Sequence, residues 1–521
     1  MVSKESSINK MLIVILYALL FSVTYLLLFS FGGKNASAAL SLSGSGTSTN
    51  PYKISSPADL KNFRDYVNNG NTMSGQYIEL TCDIDMNNEP FICIGYTRTG
   101  NNSKNYSFNG IFDGKNHVLQ NLTLQSSTGD QYSGFPNGGL FANTINATIK
   151  NLFLKNVNAY DFGWYSGALI GDANNTTIEN IYVLSGSVVS DSINGDYATG
   201  GIVGYAHDGT SMNFCFNYAS VSSSSIGYRT VSGGVVGAIG AKLSGNSPTY
   251  SSASISKCGN FGSVVAKSTT GWESYAGGVA GYAGCKIENC FNQGSVNSDA
   301  NFVYDYGFAG GIVGYSNSEC SKCYNTGTIT GGYTKTSKTE EYVLVGGVLG
   351  IGRKVAYVTV DYYQVRYANI NGNYNAFVSD CYGTNTISYS ATAKLTIKEN
   401  DSYGVNGKNC SEISGSYTYT FSNKYYCYVS QLSYPDNRSR EPHYNINAYI
   451  YNKKNAVQAS YSFSLYPLKY TGTQMASATL KSDLPSGFSS DVWAIHKDIF
   501  NGYPHFKGKY WADYVVEPYY T

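Results

Sequence analysis

Short apolar runs bounded by Gly, Asn and Ser dominate the middle of this chain, and they return at a regular interval. Pairs of glycines followed by mostly apolar residues begin at positions 200, 233, 277, 310 and 346, as in Gly-Gly-Ile-Val-Gly-Tyr. Their successive separations are 33, 44, 33 and 36 residues. Such short runs indicate strands and not helices. Self-similarity at this period predicts a solenoid of stacked repeats.

A second apolar run follows most of the glycine pairs. Clear copies are IENCFNQGSV at 287–296 and CSKCYNTGTI at 320–329. Two apolar positions in each run are three residues apart, although residues i and i+3 of a straight strand face opposite sides. If both face the interior, the chain must bend between them at a corner of a coil. The glycine pair would allow another tight corner, because glycine tolerates positive φ.

These two runs together resemble the GLUG repeat of bacterial secreted and cell-surface proteins. Opening segments at 46–54, 77–85 and 108–117 are also similar to this family, as is a closing segment at 500–505. The repeat is known from surface adhesins and from non-catalytic parts of IgA-cleaving metallopeptidases. The resemblance implies a family and a fold, and it implies no particular activity.

We predict an all-β fold, a parallel, right-handed β-helix solenoid with inward Ile, Val, Leu and Cys stacked between coils. A period of 33 residues is long for one coil, so we expect a side loop in each repeat. The predicted parts are repeats at 41–383, a divergent Tyr-rich β region at 384–484, a closing repeat segment at 485–507 and a tail at 508–521.

One amphipathic helix is predicted at 57–68, ahead of the repeats. Ser56 suits the N-cap and Pro57 suits the first helical position. Leu60, Phe63 and Val67 form one apolar stripe. A lone helix at this place suits a cap that covers the exposed strand edge of the first coil.

The N-terminal segment at 1–38 has the pattern of an export signal. Lys4 and Lys10 precede 21 uncharged, mostly apolar residues at 11–31, and Ala36-Ser-Ala38 offers a cleavage site. The apolar run is also long enough to remain as a membrane anchor. Either outcome predicts a secreted or cell-surface protein.

The composition of the chain argues against some classes of binding partner. Charged residues make up 13% of it, against a usual ~25%, and the formal net charge is +1. Such a chain has no electrostatic footprint for nucleic acid or for an anionic membrane. We therefore expect no nucleic acid partner, and membrane contact through the N-terminal segment alone.

Eleven cysteines in an exported chain suggest disulfides, and Cys320-x-x-Cys323 suggests a redox or zinc site. The repeat alignment favours a different use. Ile181 and Leu152 occupy the column of Cys323 in other repeats, and Ile287 occupies that of Cys320. We therefore predict a ladder of buried free thiols, with disulfides between coils and a metal site left as alternatives. The cysteines are at 82, 93, 215, 258, 285, 290, 320, 323, 381, 410 and 427.

Carboxylates are the main catalytic candidates, since β-helix glycosidases and lyases use clustered Asp and Glu. The candidates are Asp83 and Asp85, which alternate on a predicted strand, and Asp113, which lies in Phe-Asp-Gly. Both motifs belong to the opening segments that resemble the family, which favours a structural role at a coil end or turn. The five histidines form no H-E-x-x-H zinc motif. We therefore predict no enzyme, no catalytic or cofactor-binding residue, no cofactor and no metal.

The function predicted from these features is adhesin-like binding of an unknown glycan or protein ligand outside the cell. Tyr-rich faces at 357–375 and 417–428 are candidates for contact with it. A β-helix carbohydrate-active enzyme is the main alternative, and it would need two carboxylates from neighbouring coils that converge in a groove. A structural stalk or envelope component is a third possibility.

Overall fold

Parallel strands stacked in register make up most of the molecule. The computed structural model describes residues 40–507 with internal gaps, and the chain from Leu42 onward forms one unit. The residues outside this description are 1–39, 100–101, 126–136, 161–163, 193–196, 226–228, 243–248, 269–272, 301–305, 336–341, 353–359, 362–363, 366–377, 385–386, 396–412, 422–426, 434–443, 452–456, 468–472, 498 and 508–521.

The first sheet carries the second apolar run of every repeat, and its strands pair in parallel along most of its length. Its described strands are Tyr52–Ile54, Tyr77–Leu80, Ile84–Asp85, Pro90–Ile92, Ile111–Gln125, Thr148–Tyr160, Thr177–Val183, Gly186–Ser192, Thr210–Asn217, Ser220–Ser225, Ala253–Ser256, Gly259–Asn260, Val264–Ser268, Ile287–Glu288, Phe291–Asn292, Val296–Ala300, Cys320–Ser321, Tyr324–Asn325, Ile329–Lys335, Val378–Ser379, Tyr382–Gly383, Ile387–Leu395, Ile413–Phe421 and Thr473–Gln474.

Two further parallel sheets flank the glycine pairs. The second sheet ends at each pair and comprises Tyr165–Ser166, Tyr197–Gly200, Thr230–Gly233, Glu273–Gly277, Tyr306–Gly310 and Tyr342–Gly346. The third sheet begins after each pair and comprises Phe141–Ile145, Ile170–Asn174, Val203–His207, Val236–Ile239, Ala280–Ala283, Val313–Ser316 and Leu349–Gly352.

Each repeat forms one coil. Gly200 lies beside Gly233 in the second sheet, and the same register joins Gly233 to Gly277 and Gly277 to Gly310. The parallel solenoid predicted from the sequence is therefore confirmed, with about six turns. The repeat that begins at Gly233, which is 44 residues long, also contains a hairpin, Ala241–Lys242 paired with Thr249–Tyr250.

The bend predicted inside the second apolar run is confirmed. One residue between the two buried positions adopts a left-handed conformation. Its φ is between 50° and 56° in every coil from the strand Thr148–Tyr160 onward. This conformation turns the chain so that positions three apart, such as Ile287 and Cys290, are both fully buried. The bend residues are Asn151, Asn180, Phe214, Lys257, Asn289, Lys322 and Asp380.

The explanation predicted for the glycine pairs is wrong, because none of the four pairs that begin at 200, 233, 277 and 310 has a positive φ. Space is the reason instead. A Cβ on Gly277 would lie 1.8 Å from the Ala280 carbonyl oxygen, and one on Gly278 would lie 2.3 Å from Cγ of Asn292. Such distances are far inside van der Waals contact, so only glycine fits.

A column of buried asparagines occupies the space that the glycines leave. Asn217, Asn260, Asn292 and Asn325 are at most 1% exposed. Each of the first three donates from its Nδ2 to Oδ1 of the next asparagine, at 2.7–2.9 Å. The same Nδ2 also donates to a backbone carbonyl two residues along the chain. This amide ladder locks neighbouring coils together in register.

The helix predicted at 57–68 is confirmed as Pro57–Asn68. Ser56 accepts a hydrogen bond from the Asp59 backbone nitrogen at its N-terminus. The apolar stripe is fully buried, and the Phe63 ring lies 5.7 Å from that of Phe108. The helix therefore packs on the first coils. Its role as a cap and the right-handed winding of the solenoid stay predictions.

The closing segment packs across the outer side of the first sheet. It contains the 3₁₀ turn Phe500–Gly502 and the antiparallel pair Trp493–Ala494 and His505–Phe506, and the helix Ser477–Ser482 precedes it. Its aromatic rings cover a column of sheet residues that includes Phe216, Phe291 and Tyr324. The Tyr324 hydroxyl donates to the Pro504 carbonyl at 2.6 Å. The segment is thus held by rings and by buried hydrogen bonds.

After residue 384 antiparallel pairs appear beside the parallel register, which continues where Ile387–Leu395 pairs with Ile329–Lys335 and Thr473–Gln474 pairs with Tyr382–Gly383. Ile387–Leu395 pairs with Ile413–Phe421, and Cys427–Ser433, Tyr444–Tyr451 and Val457–Pro467 form a three-stranded sheet. Two other hairpins occur earlier, Tyr96–Thr99 with Asn102–Asn105 and Val360–Asp361 with Gln364–Val365.

Candidate functional site

Two of the aspartates considered for catalysis hold turns together. Asp83 accepts a hydrogen bond from the Val118 backbone nitrogen and lies 3.1 Å from Nδ1 of His117. Asp85 accepts bonds from the side chains of Asn121 and Gln120 and from the Asn87 backbone nitrogen, at 2.8–3.0 Å. The bond from Asn121 is the main reason why the pKa of Asp85 is lowered. Both carboxylates therefore serve the turn role that their motifs predicted.

Asp113 lies instead in a cleft beside the first strands. Its carboxylate accepts bonds from the Lys115 backbone nitrogen and from Asn151 Nδ2. It also forms ion pairs with Lys115 and Lys150, at 3.8 and 3.7 Å. The cleft has a volume of about 390 Å³. Its lining is Ser48, Thr49, Asn50, Pro51, Lys53, Tyr77, Ile78, Glu79, Ile111, Asp113, Lys115 and Lys150.

Charges of both signs line this cleft in a row across neighbouring strands. Lys53 lies beside Glu79, Glu79 beside Asp113, and Asp113 beside Lys150 in the strand register. The side chains of Glu79 and Asp113 are each 17% exposed, whereas those of Lys115 and Lys150 are 50% and 38% exposed. A ligand in the cleft would therefore meet the ammonium groups first.

Glu79 is a neighbour of Asp113 that was not predictable from the sequence motifs. Lys115 bridges the two, with its Nζ 3.6 Å from Glu79 Oε2 and 3.8 Å from Asp113 Oδ2. Two carboxylates from neighbouring coils thus share a groove, which is the arrangement required of an enzyme. Each already forms an ion pair with a lysine, however, whereas a catalytic carboxyl group must reach the substrate.

The cysteines of the repeats form one buried column, as their alignment predicted. Cys215, Cys258, Cys290, Cys323 and Cys381 occupy equivalent positions in successive coils, and all are at most 2% exposed. Burial raises the pKa of the Cys258 and Cys290 thiols well above the usual range. The cysteines with described side chains are free thiols: Cys82, Cys93, Cys215, Cys258, Cys285, Cys290, Cys320, Cys323 and Cys381.

Three of these thiols meet at one point. The Sγ atoms of Cys320, Cys323 and Cys381 all lie within 4.8 Å of one another. Burial opposes ionisation of Cys381, but hydrogen bonds with the Cys320 and Cys323 thiols and with the Cys323 backbone outweigh this effect and lower the pKa of Cys381. Burial raises the pKa of Cys320 and Cys323.

The sequence analysis also missed a paired histidine. His207 lies 2.8 Å from Asp172 through Nε2 and 2.8 Å from Asp208 through Nδ1, and its ring stacks on Tyr205. Burial acts to lower its pKa, but the hydrogen bonds and charges of both aspartates outweigh this effect and raise it. Asp172 precedes His207 by 35 residues, so an alignment of repeats would have placed them on adjacent coils.

Several predictions fall outside the described part of the chain. The N-terminal signal or anchor at 1–38 is one. The Tyr-rich face at 357–375 is mostly outside it, and the side chains of 417–428 are not described. Cys410 also lies outside it, and the side chain of Cys427 is not described. Among the residues that are described, no helix is long and apolar enough to cross a membrane.

Comparison with known proteins gives little beyond this geometry. No protein-family model matches the chain, so the resemblance to GLUG repeats stays a prediction. No curated protein matches it either. Among solved structures, the chain is similar to a "putative immunoglobulin A1 protease" from Bacteroides ovatus, with 18% sequence identity and a TM-score of 0.39. That alignment covers 89% of this chain and 94% of the other.

Proposed function

We propose that this chain is an exported, adhesin-like binding protein that carries no catalytic activity of its own. The observation that carries the proposal is the charged cleft at the first coils. It is concave, it lies on rigid strands, and its two carboxylates are engaged by lysines. The export pattern of the N-terminus and the resemblance to GLUG repeats support a place outside the cell.

The lining of the cleft favours a ligand rich in hydroxyl groups and charge, such as an acidic or zwitterionic glycan. Lys115 and Lys150 offer exposed cations, and Ser48, Thr49 and Asn50 offer short polar side chains at the rim. Tyr77 adds an aromatic ring against which a sugar can pack. A groove with few, fixed polar groups is the usual form of a small-ligand site.

A carbohydrate-active enzyme is the second candidate, and the proximity of Glu79 and Asp113 favours it. Each would have to leave its lysine and face the substrate, one as acid and the other as base or nucleophile. A stalk that binds nothing is the third candidate. The cleft is the feature that argues against it.

A glycan array tests the proposal with residues 39–521 and with the double variant Lys115→Ala/Lys150→Ala. Lys267→Ala is the matched control, because Lys267 is exposed on a strand far from the cleft. We expect acidic or zwitterionic glycans to bind the wild type and the control, and binding by the double variant to fall at least about tenfold. Equal binding by all three proteins would show that the glycan binds outside the cleft. If the wild type bound no glycan, a structural stalk would be favoured.

A further inference from the structure

The cluster of three cysteines arises where two features of the repeat coincide. In most coils one of the two buried positions of the bend is cysteine and the other is Ile, Met or Val. In the coil of Cys320 and Cys323 both are cysteine, and the next coil adds Cys381. Lys322, with φ of 52°, turns the chain so that Cys320 and Cys323 both face inward.

The spacing of the sulfurs suits coordination of one ion. Cys381 Sγ lies 3.9 Å from Cys320 Sγ, and all three sulfurs lie within 4.8 Å. Sulfurs at a metal–sulfur distance of ~2.3 Å in a trigonal arrangement are separated by about 4.0 Å. Three sulfurs at this spacing can therefore bind a central ion with little movement of the backbone.

The number of ligands narrows the ion. Thiolate sulfur selects soft, thiophilic ions over hard ones. Structural zinc closes its site with four ligands, and no fourth ligand atom joins this group within the described residues. Cys290 contacts Cys323 through its thiol and through its backbone nitrogen, which donates to Cys323 Sγ at 3.3 Å, but its sulfur is not part of the group of three. An ion that is stable with three sulfur ligands therefore fits this site better than zinc does.

The surroundings favour a complex without net charge. The Cys323 thiol donates to the Ser321 carbonyl at 3.1 Å, and the Cys381 thiol donates to the Cys320 carbonyl at 3.4 Å. Carbonyl oxygens do not stabilise thiolates, and an uncompensated charge in a buried site is costly. Trivalent arsenic meets this condition, because As(OH)₃ and three thiols give As(SR)₃ and three waters, with no change of charge or oxidation state.

We propose that Cys320, Cys323 and Cys381 form a trithiol site for a three-coordinate, thiophilic ion. Trivalent arsenic and monovalent copper are the two ions of this chemistry that serve as probes. The three sulfurs are at most 2% exposed, so the ion enters while the last coils fold. This departs from the sequence-based expectation of no metal, which treated each cysteine column separately.

The test refolds reduced residues 39–521 with either arsenite or Cu(I), followed by native mass spectrometry. We compare the wild type with Cys320→Ile and Cys381→Ile, since isoleucine occupies both columns elsewhere in the chain and should preserve the fold. Cys258→Ile is the control. Cys258 lies in the same column as Cys323 and Cys381, two coils before Cys323, and it is not part of the cluster.

The expected result is one ion per chain for the wild type and the control, with at least a tenfold loss of affinity in both cluster variants. With arsenite, the mass should rise by one arsenic and fall by three hydrogens. Uptake of Cu(I) without arsenite would keep the trithiol site but contradict the argument that the bound complex is neutral. Absence of both ions, equal uptake by the cluster variants, or a Cys320–Cys381 disulfide that forms in preference to ion binding would overturn the proposal.

Discussion

Removal of one member of the asparagine ladder tests how the coils are held in register. Asn292→Ala deletes four hydrogen bonds of a fully buried side chain. Asn292 donates to the Gly294 carbonyl at 2.8 Å and to Asn325 Oδ1 at 2.7 Å. It accepts from Asn260 Nδ2 at 2.8 Å and from the Gly294 backbone nitrogen at 3.2 Å. The surrounding protein leaves little room for water to replace them.

The magnitude follows from the count of these bonds. A neutral hydrogen bond contributes about 1 kcal/mol net, and a partner left buried and unpaired loses more. We therefore expect Asn292→Ala to lower the free energy of unfolding by about 4 kcal/mol. Asn158→Ala is the matched control, because Asn158 is exposed on the strand Thr148–Tyr160. A surface change of this kind should stay within about 0.5 kcal/mol.

Urea unfolding followed by circular dichroism measures the difference, and hydrogen exchange shows where it acts. Stacked repeats can unfold in parts, so we expect the amides of residues 290–296 to lose protection before those of the first coils. A loss below about 1 kcal/mol, with unchanged exchange, would contradict the ladder as a main source of stability.

Three further predictions concern other parts of the fold. Gly278→Ala should lower the free energy of unfolding by about 3 kcal/mol in urea titrations, because its Cβ would collide with Asn292; an unchanged midpoint would contradict this. Trp493→Ala should release the closing segment to limited proteolysis, whereas Trp164→Ala, at an exposed position, should not. The aspartates raise the pKa of His207, so its stabilisation is present below pH ~6.5 and is lost as pH rises through the raised value. Thermal melts should show this loss in the wild type, and His207→Gln should lack it.

Local rules were enough to predict the strands, the corner and the buried columns. Positions three apart, such as Ile287 and Cys290, could both be buried only if the chain bent between them, and the structure has that bend at Asn289. The helix was predictable for the same reason, since its N-cap and its apolar stripe lie within twelve residues of one another.

Contacts between distant segments were not predictable in the same way. The glycine pairs suggested positive φ, but Gly278 is required by the volume of Asn292, fourteen residues later. The cleft depends on the register between Glu79 and Asp113, which spacing alone does not fix. The packing of the closing segment's aromatic residues on Phe291 and Tyr324 was likewise not predictable from the sequence.

The absence of catalysis is tested most directly by incubating the protein with a glycan that it binds on the array. Equimolar glycan and residues 39–521 would be held for a day at several pH values, and mass spectrometry would look for shortened or unsaturated products. Glu79→Gln and Asp113→Asn would be run in parallel. We expect the glycan to be recovered intact from all three proteins. Product formed by the wild type and lost in either variant would contradict the account and make Glu79 and Asp113 a catalytic pair.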